Sequence, residues 1–95
     1  MTTPVIFRRF KEGDILALFP AEPADTAGFF CGSYAHIGQH SGADYNAMIA
    51  QSKPATPVEY ADLKVELENI GYDDLKVYRR STPQIREQFL AELRR

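Results

Sequence analysis

The stretch "SYAHIGQHSGADYN", Ser33 to Asn46, holds both histidines of the chain, His36 and His40. Asp44, Ser41, Gly38, Gly42, Tyr34 and Tyr45 lie in the same stretch. His36, His40 and Asp44 are spaced at i, i+4 and i+8, which on a helix would align three metal ligands. Such a helix would have to contain Gly38 and Gly42, each costing roughly 1 kcal/mol. His36 also continues a strand-like pattern, and no HExxH occurs, so neither a metal nor a cofactor is expected. A Cys–His nucleophile would need Cys31 beside His36. On a regular strand the two differ in parity and point to opposite faces, which makes Cys31 a small core residue. "GQHSGAD" is not the GxSxG elbow, His40 and Ser41 are adjacent rather than opposed, and Asp73 and Asp74 read as turn residues. No catalytic residue is assigned, and the reading leans against an enzyme.

The remaining chemistry for this stretch is anion binding. A glycine-rich turn that leads into a helix offers backbone N–H groups to a phosphate. The Walker lysine and GxGxxG are absent, so "HIGQHSGADY" is read first as a strand-to-helix turn. As a small anionic ligand site (phosphate or nucleotide) it would use Tyr34, His36, Gly38, His40, Ser41, Gly42 and Tyr45.

The elements that must position these residues are short. "VIFRRF" and "ILALF" read as a hairpin across "KEGD", with Phe10 expected opposite Ile15 for a loop of two or four residues. Ile6, Arg8, Phe10, Ile15, Ala17 and Phe19 would then share one face, and Val5, Phe7, Arg9, Leu16 and Leu18 the other. Both faces are mainly apolar, unlike a hairpin with one wet face. "PAEPADTAG" reads as an exposed loop and "FFCGSYAHI" as a third strand. "ADYNAMIAQS" holds two helical turns with Tyr45, Met48 and Ile49 as its stripe. The clearest signal is "TPVEYADLKVELENIG": Thr56 as N-cap, Pro57 at the first position, Glu59 completing a capping box, and Gly71 closing the helix. Tyr60, Leu63, Leu67 and Ile70 form its apolar stripe. "LKVY" is a fourth strand, and "STPQIREQFLAELRR" a last helix with the stripe Ile85, Phe89 and Leu93.

The fold class is therefore α+β. It is a single domain over residues 1–95, with a four-stranded, mainly antiparallel sheet in the chain order β-β-β-α-α-β-α and helices on one face. Cys31, Ala35, Ile37, Leu75 and Val77 should face the helices. Phe30, Tyr34, His36, Tyr78 and Arg80 should line the opposite face.

Net charge is −2, which disfavours a general nucleic-acid binder. Residues 1–70 carry five Lys/Arg against nine Asp/Glu, and residues 71–95 six against four, so the end of the chain is mildly basic. One cysteine rules out an internal disulfide. The opening "MTTPVIFRRF" has no secretory pattern and "ILALFP" is too short to span a bilayer. A cytoplasmic location and no membrane partner are expected.

The blocks "VIFRRFKEGDILALFP", "SYAHIGQHSGADY" and "KPATPVEYADLKVELENIGYDDLKVYRR" cover most of the chain. They resemble a group of small proteins of bacterial genomes, phages and other mobile elements. The most specific features are the S-Y-x-H-x-G-Q-H block and K-P-A-T. The resemblance implies a bacterial or phage setting and an accessory role, with no activity or site residue to carry over.

Three functions follow as expectations. The first is a non-enzymatic interaction module that self-associates as a homodimer, or binds another protein, through Phe30, Tyr34, His36, Tyr78 and Arg80. The second is the anion site at residues 36–45. The third is single-stranded nucleic-acid binding by Tyr34, Tyr78, Arg8 and Arg80 on an open sheet.

Overall fold

The first hairpin turns through three residues, and that odd number sets the register of the sheet. In the computed structural model, which describes residues 3–23, 30–35, 39–79, 87–88 and 91, strand β1 (Thr3–Phe10) pairs antiparallel with β2 (Ile15–Pro23). Phe10 N–H donates to the Asp14 carbonyl at 2.9 Å, and Gly13 N–H to the Phe10 carbonyl at 2.9 Å. Gly13 has φ 96°, the left-handed residue that a three-residue hairpin loop requires. Arg9 therefore lies opposite Ile15 and Phe7 opposite Ala17, one residue away from the even-loop expectation. A one-residue slip exchanges the faces of one strand against the other. Val5 and Phe7 accordingly share a cluster with Ala17 and Phe19, while Ile6 shares one with Leu18.

Among the described residues the sheet has six strands rather than four. β3 (Phe30–Ala35) pairs antiparallel with β2, and β4 (Gln39–Asp44) with β3, from Phe30 opposite Asp44 to Ala35 opposite Gln39. Of the expected break at "GQHSG", residues 39–42 are thus strand, whose pairing comes from β3 and not from its own composition. β5 (Ser52–Pro54), absent from the sequence reading, pairs antiparallel with Arg8–Phe10 of β1. β6 (Leu75–Val77) pairs parallel with Thr3–Val5. The order is β4-β3-β2-β1-β5, with β6 also on β1. Ala55 N–H bonds to the Phe7 carbonyl and Tyr78 N–H to the Val5 carbonyl. Carbonyls two residues apart leave a strand on the same side, so β5 and β6 share one edge of β1.

Helices α1 (Tyr45–Ala50) and α2 (Pro57–Asn69) lie on opposite faces, where one covered face was expected. α2 (Pro57–Asn69) covers Val5, Phe7, Ala17, Phe19 and Tyr34 with Leu63 and Leu67. Tyr60 stacks on Phe7 at 4.4 Å between ring centroids, and Tyr72 on Phe19 at 5.1 Å. α1 (Tyr45–Ala50) covers Ile6, Leu18 and Cys31 with Tyr45, Met48 and Ile49. Leu75 and Val77 face α2 as expected, but Cys31 is on the α1 side and Tyr34 on the α2 side. The parities read from the sequence hold for the pair Cys31 and Tyr34; the register decides which helix each one meets. Ile70, expected in the α2 stripe, is 50% exposed at the C-cap. Glu87, Gln88 and Ala91 are helical, and the rest of the expected last helix lies outside the described residues. Among the described residues no helix is long and apolar enough to cross a membrane.

The ends of α2 match the sequence signal closely. Thr56 Oγ1 accepts from Glu59 N–H at 3.3 Å, and Glu59 accepts from Thr56 N–H at 2.9 Å. At the other end Tyr72 N–H bonds to the Leu67 carbonyl and Gly71 N–H to that of Glu68, a Schellman pair around Gly71 at φ 126°.

Two outcomes follow from these turns. Gly13→Ala should cost about 1 kcal/mol in urea denaturation, because an alanine must hold the left-handed conformation, while Gly13→Asn should cost less. No neighbour lies within 4 Å of a Cβ at that position, so the loss is conformational, not steric. The Thr56 backbone N–H holds the Glu59 carboxyl below its ordinary value of 4.5, aided by the Thr56 hydroxyl and Arg9 and opposed by slight desolvation. A lowered folded pKa gives stability that is present above 4.5 and is lost as pH falls through the folded value. Melting curves from neutral to acid pH should therefore fall less steeply for Glu59→Gln than for the parent.

Candidate functional site

Residues 39–44 of the stretch read as a turn form the outer strand of the sheet among the described residues. Gln39, His40, Ser41, Gly42, Ala43 and Asp44 form β4, and Gly42 is exposed. Asp44 ends the strand and caps α1, its Oδ1 accepting from Ala47 N–H at 3.1 Å. The carboxylate of the chain itself thus occupies the place where an anion would meet the helix N-terminus. Tyr45 and Tyr34, each 1% exposed, are packed in the cores on opposite sides of the sheet. They do not form a common wall around a ligand. His36 and Gly38 lie outside the described residues, as do the side chains of His40 and Ser41.

The expected aromatic face is also divided. Tyr34 packs beneath α2, whereas Tyr78 packs with Ile6, Leu18 and Cys31 on the α1 side. The physical cause is the pairing: Val77 is level with Val5, so Tyr78 falls on the Ile6 side of the sheet. Lys76 Nζ stands 5.3 Å from the centre of the Tyr78 ring. Arg80 and the side chain of Phe30 lie outside the described residues. Arg8 is 4% exposed, so it does not share an open surface with Tyr34 or Tyr78.

Arg8 instead joins three elements. Its Nε donates to Ser52 Oγ at 2.8 Å, and its Nη2 to the Ser52 carbonyl at 2.6 Å and the Ile49 carbonyl at 3.1 Å. Ser52 Oγ donates in turn to the Met48 carbonyl at 2.5 Å, and Gln51 N–H bonds to the carbonyls of Ala47 and Ile49. The carbonyls of Ala47, Met48 and Ile49 near the end of α1 are thereby satisfied by a cation, a hydroxyl and an amide. Burial pushes the Arg8 pKa down from its ordinary value, and Tyr45 opposes that shift.

Beside this cluster is an open groove of about 480 Å³ at the far end of β1. Arg9, Phe10 and Lys11 line one wall; Gln51, Ser52 and Lys53 line the other. Sequence reasoning missed this feature because its cations come from a strand end, a turn and a three-residue strand. The available signal was a lysine beside each of the two hairpin-like breaks, "KEGD" and "SKP".

No protein-family model, curated protein or solved structure matches the chain.

Replacing Arg8 tests the cluster. Arg8→Ala should cost about 2 kcal/mol in urea denaturation, since it removes the guanidinium that the Ser52 carbonyl, the Ser52 hydroxyl and the Ile49 carbonyl share in a partly buried site. Arg8→Lys should recover only part of that loss, because one ammonium cannot reach the Ser52 hydroxyl and both carbonyls as a guanidinium fork does.

Proposed function

We propose that the protein is a small non-enzymatic interaction module that pairs with a second copy of itself along the outer edge of β4. The observation that supports this reading is the difference between the two edges of the sheet. β5 and β6 each have three residues and carry Lys53, Pro54 and Lys76, residues that discourage strand addition. β4 has six residues and contains no lysine, arginine or proline. It is also the end of the strand order among the described residues.

In an antiparallel ladder every second residue turns its N–H and C=O away from the paired strand. Half of β4 therefore offers backbone groups outward, a template for strand addition. Two copies related by a dyad near Ser41 and Gly42 would satisfy these groups reciprocally. Six paired residues make a small interface, consistent with micromolar rather than tight association. An accessory role in a bacterial or phage setting, as the resemblance implies, suits a module whose output is a contact rather than a reaction.

Proline scanning separates the two sides of β4. Of Ser41→Pro and Gly42→Pro, one removes an outward N–H and the other a donor to β3. Light scattering after size exclusion should give a dimer for the parent in the micromolar range and monomers for both variants. One variant should keep the parental melting temperature and the other should lose stability. A parent that stays monomeric throughout that range, or a well-folded proline variant of each kind that still dimerises, would end the proposal.

A further inference from the structure

We infer that the groove at the end of β1 is a binding site for a phosphate-bearing small molecule, the phosphates held by Arg9, Lys11 and Lys53 and an apolar part resting against Phe10. This site is separate from the β4 edge and does not depend on self-association.

Three observations carry it. The first is the lining: three cationic residues and no acidic one surround about 480 Å³, a volume in the range of small-ligand sites. The second is availability. Arg9 Nε is engaged by Glu59 at 2.9 Å, but the Arg9 side chain is 51% exposed. Lys11 and Lys53 are exposed, and neither makes a hydrogen bond or ion pair among the described residues. The third is the floor. The C-terminus of a helix ordinarily repels an anion, because its free carbonyls carry partial negative charge. Here the carbonyls of Ala47, Met48, Ile49 and Ser52 are all hydrogen-bonded, the last two to the buried guanidinium of Arg8. A full positive charge thus lies directly behind Ser52 where a partial negative one would be expected.

The chemistry selects the ligand class. Three cations on two walls suit several oxygens spread over more than one phosphate, since a single carboxylate has too little charge to engage all of them. Phe10 is half-buried and gives the groove its one aromatic surface, which suits a ring or aliphatic group attached to those phosphates.

The experiment is isothermal titration calorimetry of the full chain with tripolyphosphate and with ATP at low salt. Both should bind, ATP more tightly, and binding should weaken as salt is added. The double variant K11A/K53A should fold as the parent does, because neither lysine has a partner to lose among the described residues. It should bind both probes roughly tenfold more weakly or not at all, as expected for loss of two charge-assisted contacts. Lys64→Ala, on the outer side of α2, should leave binding unchanged. Equal affinity for the two probes would remove Phe10 from the proposal. Absence of binding by the parent at millimolar probe, or equal binding by parent and K11A/K53A, would overturn it.

Discussion

A guanidinium placed inside a sheet face must find acceptors, and the position of Arg8 organises one side of this molecule around that need. Left without partners, a buried cation would cost far more than any single apolar contact returns. Its acceptors come from the end of α1 and from Ser52, the first residue of β5. α1 has only six residues, too few to persist alone in water. It is fixed at one end by Asp44 and at the other by Arg8, with Tyr45 inserted in the core between them. The same contact holds Ser52 opposite Phe10, so that β5 forms on β1. Thr56 follows two residues after Pro54, and the start of α2 is delivered to the other side of the sheet, where Tyr60 meets Phe7.

β1 is thereby enclosed on every side. β2 pairs one edge, β5 and β6 divide the other, and a helix covers each face. This accounts for a pattern plain in the amino-acid sequence: both faces of "VIFRRF" are mainly apolar. Taken by itself, that pattern reads as a surplus of apolar surface awaiting a partner. Inside the fold, Val5, Ile6 and Phe7 are all 3% exposed or less, and the two helices absorb both faces at this strand. The excess is real, but much of its cover is local.

What was legible depended on whether the signal was local in the chain. α2 was readable because its cap, its first proline, its stripe and its closing glycine all act within a few residues of one another. The hairpin was readable as a hairpin, but not in register, because "KEGD" fits a loop of two, three or four residues and only the backbone bonds of Phe10 choose among them. β4 was hidden for a different reason. Gln, His, Ser, Gly, Ala and Asp have little preference for a strand, and their conformation is imposed by the ladder to β3. The same lack of preference made the glycines look like a turn and the histidines look like a site. Of the residues singled out there, Tyr34 and Tyr45 are core residues, and Asp44, weighed only as a metal ligand, is a helix cap.

Charge shows the same gap between chain and fold. Counted along the sequence, the first seventy residues are acidic and the remainder mildly basic. Folding divides the charges differently. Arg9, Lys11 and Lys53 all come from the acidic portion, yet they converge on one groove. The acidic groups Asp62 and Glu68 belong to the exposed side of α2. Nine residues separate Glu59, at the Arg9 end of that helix, from Glu68, or about 13 Å at the usual rise per residue. That is more than the distance over which salt at physiological strength screens exposed charges, about 8 Å. An anion at the groove therefore experiences Arg9 (offset by Glu59 beside it), Lys11, Lys53 and the charge of Arg8 behind them much more strongly than Glu68 at the far end of α2. Net charge describes the migration of the whole molecule; the potential at a concave site is set by the few groups that the backbone gathers within a screening length.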